Sequence, residues 1–241
     1  MARMPSRLRA RLGAARRRLF GPRPPAIVRA VRAASITYLE EAALVDLFDA
    51  VARADRRGEP GVFIEVGCAL GGSALVMAAA RAGGRELQAY DVFGMPPGAT
   101  AGDGPDVHAR AAIIAAGRSE GIGGNLYYGY VDGLLERVIE TFRSHGFDPA
   151  RQNIHFVKGL VQDTLHDPGA VAVAHIDCDR YASVKVCLER IAPRLTRHGV
   201  MIIDDYDSKS GCRRAVDEYL AQHGADYRLV RRARVHLTRR I

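Results

Sequence analysis

The sequence predicts an α/β protein with a mostly parallel sheet and helices on both faces. Three observations support this fold class. Short apolar runs alternate with amphipathic segments along most of the 241 residues. Runs such as residues 171–174 and 200–203 are continuously apolar, which is typical of strands buried on both faces. Several runs end in Gly or Asp, and in such sheets ligands bind beyond the carboxyl ends of the strands.

The individual elements follow from periodicity and from helix and strand breakers. Residues 38–53 place apolar side chains at helical spacing, and two glycines end the next helix. Residues 196–199 predict a turn, and residues 227–230 and 234–238 predict a terminal antiparallel pair. The expected strands are 62–67, 87–93, 153–159, 171–177 and 200–204, and the expected helices are 38–53, 73–82, 133–145, 181–195 and 211–222.

Residues 94–132 differ from the rest of the chain. They are rich in Gly and Pro, and only residues 109–117 predict a helix. A long irregular insertion in a compact domain is usually a functional loop. We therefore expect a lid-like insertion here, within a catalytic domain that spans residues 61–241. A helical segment, residues 26–60, is expected before that domain.

An Arg-rich tail, residues 1–25, is predicted to precede both. The net charge is +8, and the tail holds eight Arg and no acid, so the remainder is formally neutral. The body is therefore not expected to bind nucleic acid. The tail is expected to be solvated and partly helical, although acidic lipid or nucleic acid remains an alternative partner.

The remaining composition predicts a cytoplasmic protein. No apolar run approaches the roughly 20 residues of a membrane helix, and the tail lacks the apolar region of a secretory signal. The four cysteines, at positions 68, 178, 187 and 212, form no CxxC pair, and we interpret them as reduced thiols.

A glycine-rich loop follows the first expected strand. Residues 65–73 read EVGCALGGS and lead into a helix, whose amino end offers free N–H groups. The dinucleotide pattern GxGxxG fails because Ala69 occupies its second glycine position. The arrangement of Glu65, Gly67, Gly71 and Ser73 instead resembles the first motif of class I S-adenosylmethionine (SAM) methyltransferases. There, an acid near the ammonium group of the methionine moiety is physically reasonable.

An acid also ends the second expected strand. Asp91 closes residues 87–91, and a carboxylate at this point typically accepts hydrogen bonds from both ribose hydroxyls of a nucleoside. The two neighbouring strand ends thus agree on a nucleoside ligand, whereas a merely tight strand-to-helix turn explains only the first.

Carboxylates follow the fourth and fifth expected strands. Asp177 ends residues 171–177, and Asp204 and Asp205 end the apolar run VMII. Neighbouring like charges repel each other unless a cation neutralises them. Oxygen ligands without a convergent His or Cys pair favour Mg²⁺ over Zn²⁺. The alternative is capping, of helix 181–195 by Asp179 and of the turn after the fifth strand by Asp207 or Ser208, but it explains only one carboxylate per helix.

These motifs resemble those of the macrocin/mycinamicin-type sugar O-methyltransferases. The resemblance covers roughly residues 35–220 and rests on FIEVGCALGGS, YDVFGMPP, FVKGLVQDTL, HIDCDRYASVK and GVMIIDDYDSKSGCRRAVDEY. It implies a Rossmann-like class I fold with a seven-stranded sheet and an antiparallel C-terminal strand. It also implies SAM and Mg²⁺ as cofactors, a small-molecule or glycosylated acceptor, and a homo-oligomer.

The resemblance also carries residue roles. It assigns the metal to Asp177, Asp204 and Asp205, with Asp177 also serving catalysis. The cofactor is assigned to Thr37, Glu65, Gly67, Ala69, Gly71, Ser73 and Asp91. The stretch at residues 123–130 has no His where such enzymes place a base, so His108 in the insertion is the expected base, ahead of His175 in the fourth strand.

Substrate contacts are expected from Tyr127, Tyr128 and Tyr130 by stacking, and from Arg213 or Arg214 by charge. Two alternatives remain open at this point. In the first alternative, the acceptor is a catechol or another vicinal diol. In the other, the chain is a non-catalytic binding module that uses the Arg-rich tail.

Overall fold

The computed structural model describes residues 23–240 and has a single seven-stranded sheet in that range. The strand order is β3-β2-β1-β4-β5-β7-β6, with strands Val62–Val66 (β1), Leu87–Asp91 (β2), Ile154–Lys158 (β3), Val171–Ile176 (β4), Leu195–Ile203 (β5), Tyr227–Arg231 (β6) and Val235–Arg239 (β7). The pairs among β1 to β5 are parallel, and β7 runs antiparallel to β5 and β6. The predicted fold class is confirmed.

The helices cover both faces of this sheet. They are Ala26–Ala33 (α1), Glu41–Arg56 (α2), Gly72–Ala80 (α3), Pro105–Ala115 (α4), Leu134–Ser144 (α5), Val161–Thr164 (α6), Tyr181–Ile191 (α7) and Ser210–His223 (α8). Alternate residues of β1 enter different cores, since Phe63 packs with α1, α2, α3 and α5, whereas Ile64 packs with α7 and α8. This alternation explains the apolar character of the central strands, because both faces of β1 and β4 are buried.

Several boundaries differ from the prediction. The helix expected over residues 181–195 ends at Ile191, because Pro193 lacks the N–H that an α-helix requires. Strand β5 begins at Leu195 and includes the predicted turn, since the register with β4 shifts between the pairs Val171↔Leu195 and Val173↔Val200. The insertion contains a helix that begins at Pro105, earlier than expected, and two 3₁₀ turns.

The predicted tail lies almost entirely outside the described residues. The helical segment expected at residues 26–60 contains α1 and α2, and both helices contribute to the core against α3. Among residues 23–240, no helix is both long enough and apolar enough to cross a bilayer.

Candidate active site

Parallel pairing aligns four strand ends at one edge of the sheet. The N–H of Gly67 donates to the carbonyl of Tyr90, and the N–H of Asp177 donates to Val66 at 2.8 Å. The N–H of Asp204 then donates to Ile176 at 3.0 Å. The glycine loop, Asp91 and the acidic strand ends therefore lie side by side, as the sequence predicts for carboxyl ends of parallel strands.

These strand ends form the floor of a cleft of about 380 Å³. Gly67, Ala69 and Asp91 line one part, and Asp177, Asp204 and Asp205 line another. The size is within the usual range for small-molecule sites. The structure thus brings the predicted cofactor loop and the predicted metal ligands into one cleft.

Close backbone approach explains the first glycine of the loop. Gly67 has φ +94°, and a Cβ at this position would lie 2.0 Å from the carbonyl oxygen of Asp177. Only glycine fits without moving β4 away from β1. Gly71, at φ +87°, precedes α3, and a Cβ there would meet Val138 of α5 at 2.9 Å. The two predicted glycines thus hold the loop against the sheet and against α5.

The carboxylate of Asp91 is fixed by the backbone on both sides. Its Oδ2 accepts the N–H of Ala69 at 2.8 Å, and its Oδ1 accepts the N–H of Phe93 at 2.7 Å. Burial raises the pKa of Asp91, and these hydrogen bonds oppose that rise. A carboxylate has about four acceptor positions, so two remain for hydroxyl donors in the cleft.

Glu65 and Ser73 lie beneath the glycine loop. Glu65 is fully buried, accepts a short hydrogen bond from the hydroxyl of Ser73, and contacts Nδ1 of His175 at 2.9 Å. Burial lowers the pKa of His175, but the charge and hydrogen bond of Glu65 outweigh this effect, so the net pKa is raised. These three side chains shape the loop from below and do not line the cleft.

Residues 36–39 cover the amino end of α3. The carbonyl of Ile36 accepts the N–H of Gly72 at 3.1 Å, and the hydroxyl of Thr37 accepts the N–H of Leu39. Thr37 thus caps its own turn, next to the loop. Tyr38 from the same turn lines the cleft, a contact that the sequence analysis missed.

Three carboxylates converge at the acidic end of the cleft. One oxygen from each of Asp177, Asp204 and Asp205 lies within 4.8 Å of the others. Burial, and then repulsion by Asp204 and Asp205, raises the pKa of Asp177. Burial and the nearby Asp179 raise the pKa of Asp205 to about 7. The donor set consists of oxygens, and its mutual repulsion favours a bound cation, so these residues fit a hard divalent ion.

One basic side chain contacts this cluster, and a second lies beside it. Nε of Arg234 donates to Asp204, and Nζ of Lys209 lies 3.6 Å from Asp179. Lys209 also lines the cleft. Sequence position offered a signal for it, because Lys209 is one of three lysines and closely follows the Asp204–Asp205 pair.

The insertion caps the two helices that follow the acidic strand ends. Oδ1 of Asp103 accepts the N–H of Tyr181 at the start of α7, at 2.7 Å. Oδ2 of Asp106 accepts the N–H of Ser210 at the start of α8, at 3.0 Å. Capping by Asp179, Asp207 or Ser208, the sequence-based alternative for the acidic residues, is therefore wrong for these helices.

The insertion also builds an aromatic wall. Tyr127 and Tyr128 line the cleft, and Tyr38 packs edge-on against Tyr128 with ring centroids 6.1 Å apart. Tyr130 instead donates to the carbonyl of Ile114 at 2.6 Å and so holds α4. Arg110 lies over the Tyr127 ring, 5.3 Å from its centroid.

The remaining predicted residues lie outside the cleft. His108 is exposed on α4, and its Nε2 lies 3.1 Å from the carbonyl oxygen of Thr100. Arg213 pairs with Asp207, and Arg214 pairs with Glu218, both on the surface. The basic residues that line the cleft are Arg110, Arg180 and Lys209, and the sequence analysis named none of them.

The sheet order and the glycine loop define a Rossmann-like fold of the class found in methyltransferases. The chain belongs to the macrocin-O-methyltransferase (TylF) family, whose model matches residues 13–232. The predicted resemblance is therefore confirmed.

Individual relatives agree with this family. A Streptomyces olivaceus protein, 8-demethyl-8-(2,3-dimethoxy-alpha-L-rhamnosyl)-tetracenomycin-C 4'-O-methyltransferase, is 34% identical over 69% of this chain and 60% of its own length. The O-methyltransferase NovP has a similar structure, with a TM-score of 0.66 and 25% identity over 85% of this chain and 82% of its own. The SAH-bound methyltransferase PaMTH1 of Podospora anserina shares the fold, with a TM-score of 0.57 and 14% identity over 100% of this chain and 99% of its own.

Proposed function

We propose that the protein transfers the methyl group of SAM to a hydroxyl of a sugar or sugar-like group, carried by a natural product or a glycan. The observation that carries this proposal is the shared cleft, in which Asp91 and the glycine loop face the same space as three convergent carboxylates. The Streptomyces relative, whose name includes a rhamnosyl group, supports a sugar as the acceptor.

On the cofactor side, the chain binds SAM and orients it. The backbone hydrogen bonds to Asp91 hold its carboxylate still, so that its remaining acceptor positions receive the ribose hydroxyls. Gly67 lets the loop approach the ligand, and Ala69 lines the cleft beside it. Glu65, Gly71, Ser73 and Thr37 position this loop from below and from the side. SAM, when bound, supplies the activated methyl group.

On the acceptor side, Asp177, Asp204 and Asp205 would hold Mg²⁺. When bound, the ion supplies a Lewis acid that lowers the pKa of an acceptor hydroxyl. The carboxylates orient the acceptor toward the cofactor loop, since Asp177 is adjacent to Gly67. Tyr38, Tyr127 and Tyr128 line the same cleft and exclude water from the bound ligand.

Two residues are candidates for the base that takes the hydroxyl proton. His108 is the sequence-based candidate, and because it is exposed on α4 it acts only if the insertion brings it inward. Asp179 lines the cleft, and Nζ of Lys209 lies 3.6 Å from it. The test compares Asp179→Asn with His108→Ala. A large loss of turnover with unchanged cofactor affinity identifies the base, since removal of a general base costs about 10²–10⁴-fold in rate.

Calorimetry with SAM or its demethylated product tests the proposal before the acceptor is known. We expect saturable binding to the full chain, and Asp91→Ala should weaken it strongly. Glu86→Ala is the matched control, because Glu86 lies just before β2, does not line the cleft, and its side chain accepts a hydrogen bond from the side chain of Gln88. Absence of binding, or equal affinity in both variants, contradicts the proposal.

A catechol or another vicinal diol is the second candidate acceptor. The aromatic wall of Tyr38, Tyr127 and Tyr128 favours it, because flat rings stack on such surfaces. Parallel turnover assays with rhamnosides and catechols separate the two acceptor classes.

The non-catalytic alternative and the enzyme proposal predict opposite effects of deleting the tail. If the tail is the active element, deletion of residues 1–25 abolishes function and the chain does not bind SAM. We propose instead that this deletion leaves turnover intact.

We further propose a cytoplasmic homo-oligomer, as the family resemblance implies. Light scattering of the purified chain measures the oligomeric state, and fractionation of producing cells measures the location.

A further inference from the structure

A second cavity, of about 290 Å³, lies at the amino end of β5, whereas the active-site cleft lies at the carboxyl end of this strand. The second cavity is bounded by α2, by the amino end of β5 and by the β6–β7 pair. We call it the arginine groove. Its six arginines are Arg53 and Arg57 from α2 and the residue after it, Arg197 from β5, Arg228 and Arg232 from β6 and the residue after it, and Arg239 from β7.

Regular secondary structure points these side chains into one space. Arg228, Val230 and Arg232 alternate along β6, so they share a face of the sheet. On α2, Ala50, Arg53, Ala54 and Arg57 are three and four residues apart, and they form one stripe opposite that face. The groove is therefore a built feature of the fold.

In the described part of the chain, nearby carboxylates compensate the positive charge of the arginine groove only in part, with Asp46 and Asp49 near Arg53 and Glu59 near Arg57. Within residues 23–240, none of its six arginines forms an ion pair. Glu59 is the one carboxylate among its lining residues, and its Oε1 already accepts the N–H of His198 at 3.0 Å. Asp46, close by, is paired with His236 at 2.8 Å.

The arginines of the groove repel one another. Burial, and then the charge of Arg232, lowers the pKa of Arg53. Holding like charges around a small cavity destabilises the protein unless an anion enters it. The arrangement mirrors that of the active-site carboxylates, with the opposite sign.

We propose that the arginine groove binds a small polyphosphate, either an inorganic chain of linked phosphates or the phosphate chain of a nucleotide. One guanidinium group can donate two parallel hydrogen bonds to the oxygens of a phosphate. Several arginines around one cavity therefore suit a ligand with several linked phosphates. A concave site of this size suits a small molecule more than a nucleic-acid strand. Val200 and Val230 also line the groove and offer an apolar surface beside the charges.

The test is calorimetric titration of the full chain with inorganic tripolyphosphate, ATP and orthophosphate at near-physiological salt. We expect one tripolyphosphate per chain, and affinity for orthophosphate at least about tenfold weaker, because a single phosphate meets fewer guanidiniums. If the affinity for ATP exceeds the affinity for tripolyphosphate, the natural ligand is a nucleotide. If the two affinities are equal, the natural ligand is an inorganic polyphosphate.

Charge-matched variants locate the binding. Arg53→Gln with Arg232→Gln should weaken tripolyphosphate binding at least about tenfold, since two phosphate contacts are lost. Arg118→Gln with Arg137→Gln removes the same charge from exposed positions outside the groove and should change affinity less than about twofold.

A stability measurement guards against misfolding. Tripolyphosphate should raise the melting temperature of the wild type but not of the Arg53→Gln/Arg232→Gln variant, and Arg57→Gln/Arg228→Gln is the substitute if that variant does not fold. The proposal is overturned if no polyphosphate binds, if both double variants lose affinity equally, or if neither does. Equal loss or retention would assign the anion to general basic surface or to the Arg-rich tail.

Discussion

The two ends of β5 carry opposite charges, and the two regions are assembled in different ways. At the carboxyl end, Asp204 and Asp205 meet Asp177 in the active-site cleft. At the amino end, Arg197 belongs to the arginine groove. Both regions concentrate like charges that the protein itself compensates only in part.

The two regions differ in whether the sequence alone reveals them. The acidic ligands follow directly from two buried strands, so a local pattern reveals them. The arginines come from four separate segments, and no local pattern joins them. Like charges near each other are thus a sign of a ligand in both regions, but only the first can be found by scanning the sequence.

The largest expected effect is the loss of metal binding by the acidic cluster. Asp177→Asn should weaken the binding of Mn²⁺, used as a spectroscopic substitute for Mg²⁺, by about 100-fold or more, because even outer contacts of a metal site contribute about 10–100-fold. Electron paramagnetic resonance titration measures it. Asp207→Asn is the control, since Asp207 is exposed and paired with Arg213 and Arg231. If both variants bind Mn²⁺ as the wild type does, the metal assignment is wrong.

The next effect separates the cofactor from the metal within the cleft. Asp91→Ala should weaken binding of the demethylated cofactor by about 10–100-fold, because each hydrogen bond to a charged group contributes about 1.5–3 kcal/mol. Mn²⁺ affinity should remain within about twofold, since Asp91 is not among the three convergent carboxylates. A parallel loss of both ligands in a folded variant would contradict the division of the cleft.

A smaller effect concerns what holds the acidic edge in place. Asp103→Ala removes the acceptor for the N–H of Tyr181 at the start of α7. We expect a loss of about 1 kcal/mol, seen as a melting temperature lower by about 2–4 °C. Asp132→Ala, at an exposed position of the same insertion, should change it little. Equal melting temperatures in the two variants would show that the cap is unimportant.

The smallest effect tests the carboxylate beside the arginine groove. Burial raises the pKa of Asp46, but the hydrogen bond and charge of His236 outweigh it and lower the net pKa. The pairing therefore stabilises the fold above the unfolded pKa of about 3.9, and this stability is lost as the pH falls through the lower folded value.

Asp46→Asn is the variant that measures this contribution. At neutral pH it should lower the free energy of unfolding by about 1 kcal/mol or less. The difference from the wild type should shrink in acid, below about pH 4. Melting curves across pH measure it, and a difference that grows toward acid would reverse the assigned direction.

Local pattern determined the architecture and the active-site positions. Apolar runs located the central strands, because burial on both faces favours apolar side chains. The glycines at 67 and 71 and the acids at 91, 177, 204 and 205 were visible because parallel strands place their carboxyl ends together, so each motif could be located from its own segment.

Tertiary structure alone decided which side chains meet across distant segments. His108 is exposed on α4, although other residues of the same insertion line the cleft. Asp103 caps α7, 78 residues away, and Asp106 caps α8. Arg53 and Arg232 become neighbours only because α2 and the β6–β7 pair line the same groove. Sequence carries local preference, whereas contacts between remote residues depend on how the elements pack, and that packing placed both the lining of the cleft and the arginine groove.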